Sequence, residues 1–109
     1  MIELTSEEEI LLETLKEYHI GKLEAITSKN LRHIGTPRDI RSMVNNLRVL
    51  GYPICSGQNG YYYAKDSSDL EQTMNFLKGY LDHIKRAHDG IRDTYYMMKA
   101  EEISKEDSH

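Results

Sequence analysis

The run Gly35-Thr36-Pro37-Arg38-Asp39-Ile40-Arg41-Ser42-Met43-Val44-Asn45-Asn46-Leu47-Arg48-Val49-Leu50-Gly51 decides the fold. Thr36 before Pro37 marks a helix start, because a hydroxyl can cap the first free amides and a proline ring suits the first helical position. Ile40, Met43 or Val44, Leu47 and Leu50 recur at three- and four-residue spacing, which predicts one apolar stripe. Gly51 closes the helix. Arg38, Arg41 and Asn45 also follow at gaps of three and four, so they share a face offset from that stripe.

Upstream, Thr5 or Ser6 can cap a first helix, with Glu8 or Glu9 completing a capping box and three acids favoured by the helix dipole. Ile10 or Leu11, Leu12, Leu15 and Tyr18 or His19 form its predicted stripe, and Gly21 stops it. Residues 23–26 are too short for another helix and read as one brief strand. Thr27 or Ser28 then caps a second helix through Ile34, ended by a tight turn at Gly35. Downstream, residues 53–56 and 61–64 are short β-prone runs around Gly57-Gln58-Asn59-Gly60, and Asn-Gly is a strong hairpin signal. An isolated hairpin is marginal in water, so it must pack on the helices, helped by a third strand at 24–26. Alternation turns two of Tyr61, Tyr62 and Tyr63 inward, which makes them core rather than a stacking platform. Cys55 reads as a small strand hydrophobe.

The C-terminal segment has the longest periodicity. Asp66-Ser67-Ser68-Asp69 supplies a cap, and Leu70, Met74, Leu77, Leu81, Ile84, His88, Ile91, Tyr95 and Met98 follow with alternating gaps of four and three. That is a heptad seam, and one helix from 68 to 99 would run ~48 Å. A stripe of that length exceeds what a small domain can cover, so a partner chain is expected, forming a homodimeric coiled coil. The phase runs unshifted through Gly90, which favours one continuous helix over a break at Asp89-Gly90. His88 at an a position would face its twin in a parallel dimer, where protonation near pH 6 would weaken the coil. The organisation expected is therefore a domain over 1–65, a dimerisation helix over 66–100 and a disordered polar tail over 101–109.

Composition narrows the function classes. The 109 residues are 39% hydrophobic and 29% charged, ordinary for one globular domain. No apolar run is long enough to span a membrane, no signal-peptide pattern opens the chain, and a lone cysteine suits a reducing cytoplasm. The net charge of −4 hides a division along the sequence. Residues 25–65 carry Lys29, Arg32, Arg38, Arg41, Arg48 and Lys65 against Asp39 alone, between acidic flanks. Local charge, not net charge, meets a phosphate backbone. There is no Gly-rich phosphate loop, no G-x-S-x-G, no H-E-x-x-H and no cysteine pair, so no enzyme, cofactor or metal site is expected. His83 and His88 are five apart on a helix and diverge in angle.

The stretch Ile26-Thr27-Ser28-Lys29-Asn30-Leu31 to Gly35, then Arg38-Asp39-Ile40-Arg41 to Leu47-Arg48, Gly51-Tyr52-Pro53-Ile54 and Gly60-Tyr61-Tyr62-Tyr63, resembles the winged helix-turn-helix domains of bacterial and phage regulators, including the biotin-repressor-type module. The resemblance covers about residues 6–65. It implies an α+β, mostly α, fold with the helix over 37–50 in the DNA major groove. Base contacts would then come from Thr36, Arg38, Arg41, Ser42 and Asn45, since arginine chelates guanine and asparagine adenine. Backbone contacts would come from Lys29, Asn30, Arg32 and Arg48, and from Gln58 and Asn59 at the wing tip. The tip carries no lysine or arginine, which argues against deep minor-groove insertion. The expected function is a homodimeric, sequence-specific double-stranded DNA-binding regulator in the cytoplasm. The alternatives are a protein-binding adaptor that sets the same basic face on an acidic partner, and an oligomerising scaffold.

Overall fold

Three leucines at helical spacing and a reciprocal cap build the first element of the computed structural model, which describes residues 3–107. Helix α1 (Ser6–Tyr18) starts at Thr5, whose hydroxyl accepts the Glu8 amide at 3.1 Å while Glu8 Oε1 accepts the Thr5 amide at 2.9 Å. Leu11, Leu12 and Leu15 are buried on its inner face, and Tyr18, an expected member of that stripe, is exposed. Helix α2 (Pro37–Val49) is capped the same way by Thr36 and Asp39. It ends in a Schellman pattern, with the Gly51 amide on Arg48 O and the Tyr52 amide on Leu47 O. Ile40, Val44 and Leu47 of α2 meet Leu11, Leu12 and Leu15 of α1 in one core with Leu31 and Ile54.

The sheet is a two-stranded antiparallel hairpin, β1 (Ile54–Gly57) and β2 (Gly60–Tyr63), with Cys55 opposite Tyr62 and Gly57 opposite Gly60. The fold is thus α+β and mostly helical, closed by a long helix α3 (Ser67–Asp107). Two units are distinguishable, Met1–Met74 and Asn75–His109. The first therefore extends past residue 65 to include the opening turns of α3. Among the described residues no helix is long and apolar enough to cross a membrane.

Several expectations need correction. The segment after Thr27 does not make an α-helix to Ile34. It forms a 3-10 turn over Ser28–Leu31, followed by a further turn. So short a piece has little cooperative stability, and its one fully buried anchor, Leu31, lets the chain close with three-residue bonds such as Ile34 N to Leu31 O at 2.9 Å. Gly35 is not a left-handed turn residue; the position is glycine-sized because an added Cβ would lie 2.9 Å from Asp39 Cβ. The third strand shrinks to isolated bridges, because Lys22–Glu24 coils into a 3-10 turn. The hairpin loop narrows from the expected Gly57–Gly60 to Gln58-Asn59, because Gly57 and Gly60 pair as the strand ends, and within the hairpin only Gly60 takes a positive φ.

The three tyrosines divide between two faces. Tyr61 and Tyr63 are half-buried against the helical core. Tyr62 is the most buried of the three and lies on the opposite face, with Cys55 and the buried Thr73 of α3. Burial there pushes the Cys55 thiol and the Tyr62 phenol up from their usual pKa ranges. Helix α3 is continuous through Gly90, as expected, but it also runs through residues 101–107, where a disordered tail was expected. Glu101, Glu102 and Lys105 are good helix formers, and Lys99 reaches Glu102 at 3.9 Å. Residues 108 and 109 of that expected tail lie outside the described residues.

Two outcomes follow for stability. At Gly60 an added Cβ would fall on the Ile26 carbonyl and 2.7 Å from Thr27 N, at a φ of 114°. Gly60→Ala is expected to cost roughly 3 kcal/mol or more, seen as a lowered denaturant midpoint. Glu8 is nearly buried, and the Thr5 amide holds its pKa below the usual carboxylate range, against opposing burial and with help from the Thr5 hydroxyl and Asn46. A depressed folded-state pKa contributes stability above the unfolded pKa of about 4.3 and loses it as pH falls through the folded value. Denaturant midpoints measured between pH 7 and pH 3 should therefore fall less steeply for Glu8→Gln than for the natural chain.

Candidate nucleic-acid interface

The outer face of α2 is set by the same periodicity that buries its inner one. At ~100° per residue, Arg38, Arg41, Ser42 and Asn45 cluster on the side away from Ile40, Val44 and Leu47. All four are exposed. Arg41, Ser42 and Asn45 have no side-chain hydrogen bond or ion pair among the described residues, which leaves their donors available to an incoming ligand. Arg38 stands near Asp39, whose carboxylate is already engaged.

Asp39 is the one acid between residues 25 and 65, and the structure gives it an internal task. Its Oδ2 accepts the Thr36 amide at 3.0 Å, and its own amide donates to Thr36 Oγ1 at 3.1 Å. The Thr36 amide, ahead of the Thr36 hydroxyl, holds the Asp39 pKa below its usual value; burial opposes this slightly and Arg38 adds to it. Thr36 itself, an expected base contact, therefore has its oxygen committed as the cap and stands at the N-terminal edge of the face.

Lys29, Asn30 and Arg32 lie exposed on the 3-10 turn and the residues after it, and that turn packs on α2. Asn30 Nδ2 donates to Thr27 Oγ1 at 3.3 Å. Gln58 and Asn59 are exposed at the hairpin loop. Arg48 is the member of the expected set that the structure withdraws. Its Nε donates to the Ile54 carbonyl at 2.8 Å and its Nη2 to Ser56 Oγ at 3.0 Å. The guanidinium is thus half-buried between α2 and β1, and burial lowers its pKa, opposed by Tyr61 and Cys55. These two bonds brace the hairpin against α2.

One exposed residue on this face escaped the sequence expectations. Val49 is 86% exposed and continues the line of Arg38, Ser42 and Asn45. Its spacing from Asn45 was legible; its exposure was not, because a valine among Leu47 and Leu50 looks like core. Among the described residues no group of three or more His, Cys, Asp or Glu could hold a metal ion.

No protein family and no solved structure matches the chain. It is similar to the exosome complex component Rrp4 of Pyrobaculum aerophilum, 40% identical over 67 residues. The match covers 59% of this chain and 28% of that protein's length, so it describes a part shared with a longer relative.

Replacing Arg48 by methionine keeps the apolar stem and removes both hydrogen bonds to the hairpin. The expected loss is about 1–3 kcal/mol, with amide exchange accelerating first at residues 54–63, because the Ile54 carbonyl and Ser56 hydroxyl lose their charged donor. Arg38→Met, on the open face, should change stability by no more than about 0.5 kcal/mol.

Proposed function

We propose that residues 6–65 form a winged helix and that the chain is a homodimeric, sequence-specific double-stranded DNA-binding protein, a regulator of bacterial or phage type. The observation that carries this is the outer face of α2: Arg38, Arg41, Ser42 and Asn45 are exposed together, and the single acid among them is turned into the cap. An exposed helix face with two bidentate cations, an amide and no available carboxylate is chemically matched to base edges in a major groove. Lys29 and Arg32 supply phosphate contacts on the adjoining turn, and Gln58 and Asn59 do so from the hairpin loop. Arg48 contributes by holding the hairpin in place. The second copy joins through α3, whose seam from Leu70 to Met98 is exposed along its length.

A second reading, a protein-binding adaptor working through the same face on an acidic partner, is favoured by Val49. An exposed β-branched side chain in line with the arginines suits a protein surface better than a phosphate backbone. The similarity to a component of a multi-subunit complex fits that reading as well.

Fluorescence anisotropy separates the two. A mixed-sequence duplex titrated at low and at moderate salt should bind, with log K falling against log salt by about 0.9 per phosphate neutralised. Arg41→Glu should weaken binding at least about tenfold, the loss expected for one good base contact. Absence of binding by the natural chain at ~50 mM salt, a condition under which phosphate contacts are strong, transfers the face to a protein partner.

A further inference from the structure

The row of side chains beside the α3 seam carries more information than the seam itself. With Leu77, Ile84, Ile91 and Met98 at d and Leu81, His88 and Tyr95 at a, the flanking e positions are Lys78, Lys85, Arg92 and Lys99. All four are cations. The g positions on the other flank, from Tyr80 through Ala87 to Thr94, are uncharged. Glycines 79 and 90 fall at f and c, off the seam, and an added Cβ at either would meet nothing within 4 Å. The seam from Leu70 to Met98 is between 37% and 73% exposed at its apolar positions. A helix with two internal glycines gains most of its stability by packing an apolar face, so this face has a partner.

We infer that α3 pairs in parallel, in register, with α3 of a second copy across residues 77–98. The inference rests on the homodimer proposed above and assigns its orientation. In an antiparallel pair e faces e′, which would lay Lys78, Lys85, Arg92 and Lys99 along the same row of the other copy, cation against cation. In a parallel pair e faces g′, which places Lys85 beside Tyr80′, Arg92 beside Ala87′ and Lys99 beside Thr94′. Those neighbours carry no charge and offer apolar surface to the long methylene stems. Local acids leave the distinction intact: Arg92 Nη1 lies 3.3 Å from Asp89 and Lys99 Nζ 3.9 Å from Glu102, pairs on the copy's own exposed surface that contribute little.

His88 points the same way. At an a position it is the one polar residue in the seam between Leu77 and Met98 apart from the Tyr95 hydroxyl. In parallel register it meets its twin, and two imidazoles can satisfy each other as donor and acceptor. His88 Nδ1 lies 3.1 Å from Asp89 Oδ1 of its own helix, which leaves Nε2 to be satisfied across the seam; in antiparallel pairing an a residue is layered against a d residue, so Nε2 would face isoleucine or leucine instead of a second imidazole. A polar residue at a single a position is a known way to fix register. Both copies then enter the coil from the same end.

Sedimentation of the full chain at micromolar concentration, combined with pulsed electron-spin distance measurement, tests this. Nitroxide labels are placed singly at Gly79→Cys and Ala100→Cys, both at f, outside the seam; the buried Cys55 of the unsubstituted chain is the labelling control. A dimer with short distances at both positions, set by the width of the coil alone, is the expected result. A dimer in which the Ala100 labels lie on the order of 35 Å further along the axis overturns the parallel orientation and leaves the homodimer standing. A monomer overturns both, and a larger assembly overturns the pairing of two copies stated here.

Discussion

The strand Gly60–Tyr63 is hydrogen-bonded along both edges, and the N-terminal unit depends on that. On one side it pairs with β1 in the hairpin. On the other, Tyr61 exchanges two 2.8 Å bonds with Ile26, while Tyr63 donates to His19 O and accepts from Gly21 N. A two-stranded hairpin alone would not persist in water. Here the loop between α1 and α2 supplies the missing edge with single-residue bridges, and it can approach that closely only because residue 60 has no Cβ. The same contacts anchor the 19–26 connection, so the hairpin and the loop stabilise each other.

Arg48 extends that constraint to α2. A guanidinium reaching the Ile54 carbonyl and the Ser56 hydroxyl fixes the hairpin against the helix whose other face is open. The division of the α2 arginines does not follow from angle, because Arg41 and Arg48 are seven residues apart and lie within about 20° of each other around the helix. Position along the axis separates them: only Arg48, near the C-terminal end, comes level with the Ile54 carbonyl and the Ser56 hydroxyl of β1. One helix thus uses chemically identical side chains for two ends, surface charge and internal bracing. A charge count along the sequence cannot separate these, since a buried, hydrogen-bonded arginine and an exposed one contribute alike to the sum.

Helix α3 also divides its work along its length. Its first turns belong to the N-terminal unit, where Thr73 is buried and its hydroxyl receives the Ser56 amide at 3.4 Å. Thr73 also interacts with the buried Cys55 and Tyr62, so the hairpin is covered on both faces. From Asn75 onward the helix carries its apolar positions outward. This explains why the compact unit ends at Met74 and not at the sequence boundary near Lys65: the capping residues Asp66 and Asp69 mark where the helix starts, not where packing stops.

Local chemistry determined much of this protein. The two capping boxes, the proline at the start of α2, the Schellman ending at Gly51, the stripe of Ile40, Val44 and Leu47 and the unbroken phase through Gly90 are all written in neighbouring residues, because helix periodicity and capping act within a few positions. Tertiary structure alone decided the rest. Leu31 became the anchor of a 3-10 turn because the core needed one side chain there more than a helix. Tyr62, rather than its neighbours, went deepest because α3 returned to cover its face. Arg48 turned inward because β1, six and eight residues further on, presented a carbonyl and a hydroxyl at the right distance. Each of these depends on what a distant segment brings into contact, and pairwise contact across the chain is the one quantity that residue spacing does not contain.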